Sequence, residues 1–494
     1  MTPLPAVLGF AVSVGADDHR LSAEPARRLA VRGGSATVDH AGHGLSWTGT
    51  AVTGTPRDPA LSGQDGRRLL LAGELYNREE LALALGDPAL VTVPDSHLLL
   101  RLWERYGGAA LRLLNGRYAL LLTDGDRLVA ATDHAASLPL HLAVVRHPGG
   151  RPFVRAATEA KALAGTDTPA RRVPAGSALI VDLADPDPRP VPLATWTPPV
   201  SRRILPPHAA VAAVREQLDR AVRARLGDGT PPTVVLSGGI DSSAVTALAV
   251  AHCGTARTIT LGTDLRDEFE AARLVVDHLG TEHEEITVDS ASLLRDLAWT
   301  VWAAEITDPD VLEYLLPLVS LYRRLPGAPR RILTGYGADI PLGGMHRDTA
   351  ALETLDQVLA ADMATFDGLN ELAPALSGVA GHWTTHPYWD REVLDLLVSL
   401  EPGVKRRDGT DKWVLRRAMA GTLPERTLGR RKLGIHEGSG TTSAWSRALR
   451  DAGVPEDRIH QAKAAEAAAL YRRLVVEGAH PDDTDQDTGT GEHR

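Results

Sequence analysis

Ten consecutive residues, Val234-Val235-Leu236-Ser237-Gly238-Gly239-Ile240-Asp241-Ser242-Ser243, run from an apolar strand pattern through two glycines and several hydroxyls into a helical pattern. Glycines let backbone N–H groups turn toward a ligand, and a helix start adds unpaired donors and a positive dipole end, so the expected chemistry is anion binding. Val235, Ser237, Gly238, Gly239, Asp241, Ser242 and Ser243 are the residues expected to line that site. Phosphate loops of the Walker type carry a lysine, and dinucleotide folds space their glycines differently; this segment matches neither. An acid in such a loop repels phosphate unless a cation intervenes, which makes Asp241 an expected Mg2+ ligand. Arg331–Asp339 repeats the strand-then-glycine pattern and offers Asp339 as a second ligand, its alternative reading being a helix cap. Ligands bind outside the carboxyl ends of parallel strands, where the two aspartates can converge.

The flanking pattern supplies such strands. Ala209–Leu226 and Ser242–Ala251 read as helices, Thr233–Leu236 and Thr258–Leu261 as short strands, and the alternation predicts a parallel sheet covered by helices. Helices predominate from Leu312 to Leu423. Before residue 195 the pattern is different: Leu69–Leu71, Tyr118–Thr123, Leu128–Ala131 and Ala178–Val181 read as strands, with a hairpin turn at Asp124-Gly125 and a helix over Ser96–Tyr106. Six prolines in Asp185–Pro199 mark a connector, so the chain divides into 1–195 and 205–480, with 481–494 polar enough to be a disordered tail.

Composition narrows the function. The 494 residues carry a net charge of −10, which offers no nucleic-acid footprint, and no apolar run reaches the roughly 20 residues of a membrane helix. The single cysteine, Cys253, excludes an intramolecular disulfide and a cysteine-rich metal site, and favours a cytoplasmic protein. Positive charge is written as 48 arginines and only 5 lysines.

The loop resembles the pyrophosphate loop of enzymes that split ATP to AMP and pyrophosphate. With Asp411-Lys412-Trp413-Val414-Leu415-Arg416, Leu423-Pro424-Glu425 and Arg430-Arg431-Lys432-Leu433-Gly434, the chain resembles the asparagine synthetase superfamily over nearly its whole length. Gly73-Glu74-Leu75-Tyr76-Asn77, Leu114-Asn115-Gly116-Arg117-Tyr118 and Glu159–Leu163 resemble that family's glutaminase domain. The resemblance implies an N-terminal αββα domain of N-terminal-nucleophile hydrolase fold and a C-terminal parallel-sheet domain of the adenine-nucleotide α-hydrolase type with a helical extension. It also implies ATP and Mg2+ as cofactors, Gly262 and Gly335 as further nucleotide contacts, and a homodimer.

Departures from the family pattern carry the functional expectation. The glutaminase cysteine corresponds to Leu8 ahead of Gly9, residue 2 is Thr, and the oxyanion asparagine corresponds to Ala72, so glutamine hydrolysis lacks its nucleophile and a donor. Asparagine synthetases carry glutamate in the Gly335-Tyr336-Gly337 turn, whereas the tyrosine is similar to β-lactam and carbapenam synthetases. Gly335–Arg347, Asp362–Glu371, Gly381–Leu400 and Lys432–Ser443 resemble most the clavulanate-type β-lactam synthetases, which cyclise N2-(2-carboxyethyl)-L-arginine through an acyl-adenylate. That resemblance makes Tyr336 and Glu371 a proton-relay dyad, Lys432 the transition-state cation, and Tyr314, Tyr336, Gly337 and Asp362 the substrate contacts, with Asp362 taking the guanidinium. Read from the residues alone, Glu371 is an ordinary helix-end acid and the other four lysines are surface residues, while the alternative reading of Asp362 is an exposed helical acid. The alternatives are a carbapenam synthetase-like cyclase, an ammonia-dependent amide ligase and a non-catalytic nucleotide binder; Tyr336 speaks against the second, the intact loop against the third.

Overall fold

The computed structural model describes residues 7–15, 24–30, 34–40, 45–51, 61–62, 66–146, 151–164, 168–199, 202–226, 231–327, 330–346, 349–364, 374–431 and 433–484. Two antiparallel six-stranded sheets form its N-terminal part. In one, Gly9–Val14 lies between Phe153–Ala157 and Leu45–Ala51; in the other, Gly116–Asp124 lies between Arg68–Leu75 and Arg127–Thr132. Period-two alternation decides which way each residue points. Leu70, Ala72, Ala119 and Leu121 pack toward Phe10 and Val12 of the facing sheet, while Leu69, Leu71, Leu120 and Leu122 pack against Leu98, Leu99, Leu102 and Trp103 of helix Asp95–Tyr106. On the far side Ala11 and Ala157 meet Leu29, Ala162 and Leu163. These layers, helix, sheet, sheet and helix, make the αββα arrangement.

The C-terminal part holds five parallel strands in the spatial order Glu282–Val288, Arg257–Thr263, Thr233–Val235, Arg331–Thr334, Trp383–Thr385. The chain starts at the middle strand, works outward to one edge, then returns to fill the other. The order therefore reverses between Thr233–Val235 and Arg331–Thr334, and such a switch point opens a crevice at the carboxyl ends of the two strands. Helix Ile240–Cys253, apolar around nearly its whole circumference, is buried behind this crevice with its N-terminus toward it.

Differences from expectation are local. The hairpin loop is Gly125-Asp126, since Asp124 still pairs with Arg127. Within the proline-rich stretch Val191–Ala194 forms a sheet-edge strand with Pro192 opposite Leu179, a place where a missing N–H is tolerated. Pro481–Thr484, expected in the tail, forms a 3-10 turn: Asp483 accepts from the His480 N–H, and Arg473 donates to the Asp483 carbonyl. Residues 485–494 lie outside the described residues. Among the described residues no helix is long and apolar enough to cross a membrane.

Candidate active site

The crevice holds a cavity of about 1080 Å3, part of it open to solvent. Val235, Ser237, Gly239, Asp241 and Ser242 line one wall, and Tyr314, Gly335, Tyr336, Gly337 and Asp339 complete it. The phosphate loop is tied internally: Ser242 Oγ accepts from Ser237 N–H at 3.2 Å and lies 3.2 Å from Ser237 Oγ, and Ser237 Oγ accepts from Gly239 N–H at 3.3 Å. Arg430 fixes it from outside, donating to the Ser237 carbonyl and to Glu268, both at 2.6 Å. Burial raises the pKa of Glu268, and the Arg430 charge opposes that rise.

Gly238 lies behind the cavity and Gly335 on its wall, and both are needed for close backbone approach. Gly238 has φ +70°, and a Cβ there would run into the Ala271 carbonyl and approach Ala272 N to 2.7 Å. A Cβ on Gly335 would overlap the first turn of the loop helix, with Ser242 Cα at 2.6 Å and Asp241 C at 2.7 Å. Ser243 is fully buried behind the loop, and Gly262 packs against Asp267 and Phe269; neither lines the cavity.

Asp241 and Asp339 converge, and a residue not singled out from sequence sits between them. Lys412 Nζ lies 2.5 Å from Asp241 Oδ2 and 2.6 Å from Asp339 Oδ1, with the lysine side chain fully buried. Burial lowers the Lys412 pKa, and the adjacent Asp241 charge partly restores it. Lys412 itself adopts a left-handed backbone, φ +51°, uncommon for a side-chain-bearing residue. Its signal in the sequence was its scarcity together with its place in the Asp411–Arg416 motif. The expectation of surface positions for the other lysines fails for all four described. Lys161 pairs with Glu159 and Glu305, Lys463 with Glu313, and Lys405, pushed down to about 8 by burial, donates to the Val398 carbonyl. Lysine is used here for buried ammonium groups. Lys432 and Glu371 lie outside the described residues.

Tyr336 projects from the turn after strand Arg331–Thr334, its N–H donating to Thr334 Oγ1 at 3.3 Å. Its ring meets those of Tyr314 and His386 edge-on, at centroid distances of 6.3 and 5.8 Å. Asp362 is placed differently: on helix Leu355–Ala364, 2.7 Å from His346 Nε2, and not among the residues lining the cavity. The structure therefore brings Tyr314 and Tyr336 together at the cavity and leaves Asp362 paired with His346.

The asparagine synthase model matches residues 213–380 and 355–490, and the glutamine amidotransferase domain model matches 53–165. A carboxyethyl-arginine beta-lactam-synthase of Streptomyces clavuligerus is 52% identical, covering 98% of this chain and 96% of that protein. The chain belongs to the asparagine synthetase family. Glutamine-hydrolysing asparagine synthetases of Zea mays and Escherichia coli are each 25% identical, covering 84% and 85% of this chain and 75% and 80% of theirs. Enzymes of the asparagine synthetase family use ATP and release AMP.

As a member of the asparagine synthetase family the chain retains glutaminase-like motifs, but they now hold the synthetase sheet. Glu74 accepts both guanidinium nitrogens of Arg331 at 2.6 and 2.8 Å, the Trp383 indole N–H at 2.9 Å and the Tyr76 hydroxyl at 3.1 Å. Burial alone would raise the Glu74 pKa, but Arg331 and these donors hold it below the usual carboxylate range. Burial and the Glu74 charge push Tyr76 up to about 12. Arg117 donates to the Thr384 carbonyl. Asn115 and Arg225 both donate to Asp390, each at 2.9 Å. Leu8 is buried against a small cavity shared with Ala303, Ala304 and Ala375.

Proposed function

We propose that this protein closes a β-lactam ring, converting N2-(2-carboxyethyl)-L-arginine and ATP to deoxyguanidinoproclavaminate, AMP and pyrophosphate. The observation that carries the reading is Tyr336, facing the cavity of the phosphate loop where the family pattern has glutamate, in a chain half identical to a carboxyethyl-arginine beta-lactam-synthase.

A carboxylate does not acylate an amine unaided at neutral pH, and a strained four-membered amide is harder still to close. In the proposed reaction the substrate's β-carboxylate attacks the α-phosphorus of ATP, and pyrophosphate leaves against the donors of Ser237–Ser242. The substrate's own secondary amine then attacks the acyl carbon; the acyl–oxygen bond breaks, AMP leaves, and the amine proton passes to the protein. Ring closure is unimolecular, so holding a near-attack conformer is the site's main contribution, worth about 7–11 kcal/mol in favourable cases. Tyr336 takes the proton. Ionising an unperturbed tyrosine at pH 7 costs roughly 4 kcal/mol, which is why a partner carboxylate, Glu371, completes the relay. Lys432 supplies positive charge to the developing oxyanion and departing phosphate. Tyr314 and Gly337 flank the substrate, and Asp362 exchanges His346 for the substrate guanidinium, a bidentate partner.

Asp241 and Asp339 fit a hard divalent cation. Their carboxylates already share one cation, the Lys412 ammonium, and among the described residues Asp241 Oδ1 is buried with no hydrogen-bond partner. Two carboxylates plus substrate phosphates are the usual set for Mg2+. When bound, Mg2+ would neutralise the pyrophosphate leaving group.

We take residues 1–195 as a glutaminase-like unit that no longer hydrolyses glutamine, consistent with Leu8 and Ala72, and 205–480 as the ATP-binding unit. The internal amine makes ammonia unnecessary. Release of AMP with carboxyethyl-arginine in ammonia-free buffer is the expected result; AMP release only with aspartate plus ammonia would reverse the assignment.

A further inference from the structure

His386 enters the cavity from strand Trp383–Thr385, whose three residues are gripped in turn by Glu74, Arg117 and Tyr76. Only 8% exposed, it lines the cavity beside Thr334 and Tyr336. Its Nδ1 lies 2.7 Å from Thr334 Oγ1, the oxygen that accepts the Tyr336 N–H. A hydroxyl has one proton to give, and Nδ1 is the acceptor standing at that distance. Assigning the Thr334 O–H to Nδ1, its one acceptor among the described residues, places the ring's own proton on Nε2. Among the described residues, Nε2 is buried and has no hydrogen-bond partner. Burial first, then the charges of Arg117 and Arg225, hold the His386 pKa well below its ordinary value, so the ring is a neutral donor in a positive field. A buried N–H with no partner is costly, and a negatively charged oxygen is the acceptor that this field favours.

We infer that His386 is a further substrate-contacting residue, whose Nε2–H donates to the α-carboxylate that the amino-acid substrate keeps throughout the reaction. The inference rests on the proposed function. The carboxylate being activated cannot also stay anchored, whereas the α-carboxylate is one carbon from the attacking nitrogen. Fixing it orients the amine toward the acyl carbon.

Kinetics on two substrates test this: carboxyethyl-arginine, and carboxyethyl-agmatine, which lacks the α-carboxylate. In the native protein, loss of the carboxylate is expected to lower kcat/KM roughly ten- to a hundredfold. His386→Leu lowers it by a similar factor for the arginine compound, leaves the agmatine compound within about twofold, and leaves the KM for ATP in place. His386→Gln, which restores an N–H donor, recovers part of the preference. Should His386→Leu not fold, Thr334→Val serves instead, because without the hydroxyl the Nε2 proton is no longer fixed and the carboxylate preference falls. Equal losses on both substrates, or an unchanged carboxylate preference, overturn the inference. A native protein that turns over neither compound refutes the β-lactam reading itself, and the role of His386 falls with it.

Discussion

Replacing Lys412 with methionine keeps the apolar stem and removes the ammonium that holds Asp241 and Asp339 together. Both oxygens lie within 2.6 Å of the same nitrogen, so they are no more than about 5 Å apart. Two carboxylates at that separation repel by about 3 kcal/mol at an effective dielectric constant of 20. That figure agrees with the 3–5 kcal/mol typical of removing one partner from a buried pair. The aspartate side chains are only 15% and 13% exposed, so water relieves little of it. Urea unfolding followed by tryptophan fluorescence measures the effect. In EDTA the variant is expected to be about 3 kcal/mol less stable than the native protein, and saturating Mg2+ to return most of the loss, because the ion binds only the folded pair. Equal stability of the two proteins in EDTA would refute the electrostatic argument. Loss that Mg2+ does not reverse would refute the assignment of these aspartates as its ligands.

Tyr336→Phe is expected to leave exchange of labelled pyrophosphate into ATP within a few-fold of native while slowing ring closure at least a hundredfold, the scale of general acid–base contributions; equal losses would remove Tyr336 from proton transfer. Glu74→Gln leaves Arg331 buried without its counter-charge and is expected to cost about 3–5 kcal/mol in urea unfolding, an unchanged midpoint counting against the buried pair. His134, His141, His283, His382 and His386 all have lowered pKa values, burial first among the causes, with His382 near 4. The unfolded chain therefore binds protons that the folded one refuses. Stability is expected to be level above the unfolded histidine value of about 6.5 and to fall as pH drops below it, by up to about 1.4 kcal/mol per pH unit for each such histidine. Unfolding midpoints constant from pH 7 to pH 5 would contradict this.

The parallel sheet and the phosphate loop were legible because period, glycine placement and helix start are encoded within a few residues of one another. The αββα unit, by contrast, was named through motif resemblance; its short strands alone left the layering open. Asp241 and Asp339 were legible as a pair because each follows a strand whose carboxyl end must face the crevice. Lys412 was not, since its reach to Asp241 spans 171 residues and depends on a left-handed backbone position. The same limit hid His346 beside Asp362 and His386 beside Thr334. A histidine reads as a site residue only once the strand that delivers it is placed. Glu74, Arg117 and Tyr76 were visible as glutaminase-like motifs, but their use as clamps on strand Trp383–Thr385 depends on contacts between the two parts of the fold.

The central claim, that a carboxylate is activated on ATP and captured by an amine of the same molecule, is tested most directly with substrate carrying 18O in its β-carboxylate. Mass spectrometry of the mixture is predicted to show a product lighter than the substrate by one water that keeps one labelled oxygen, with the other in AMP. Label in pyrophosphate or inorganic phosphate, or a product that has gained ammonia in place of losing water, would contradict it.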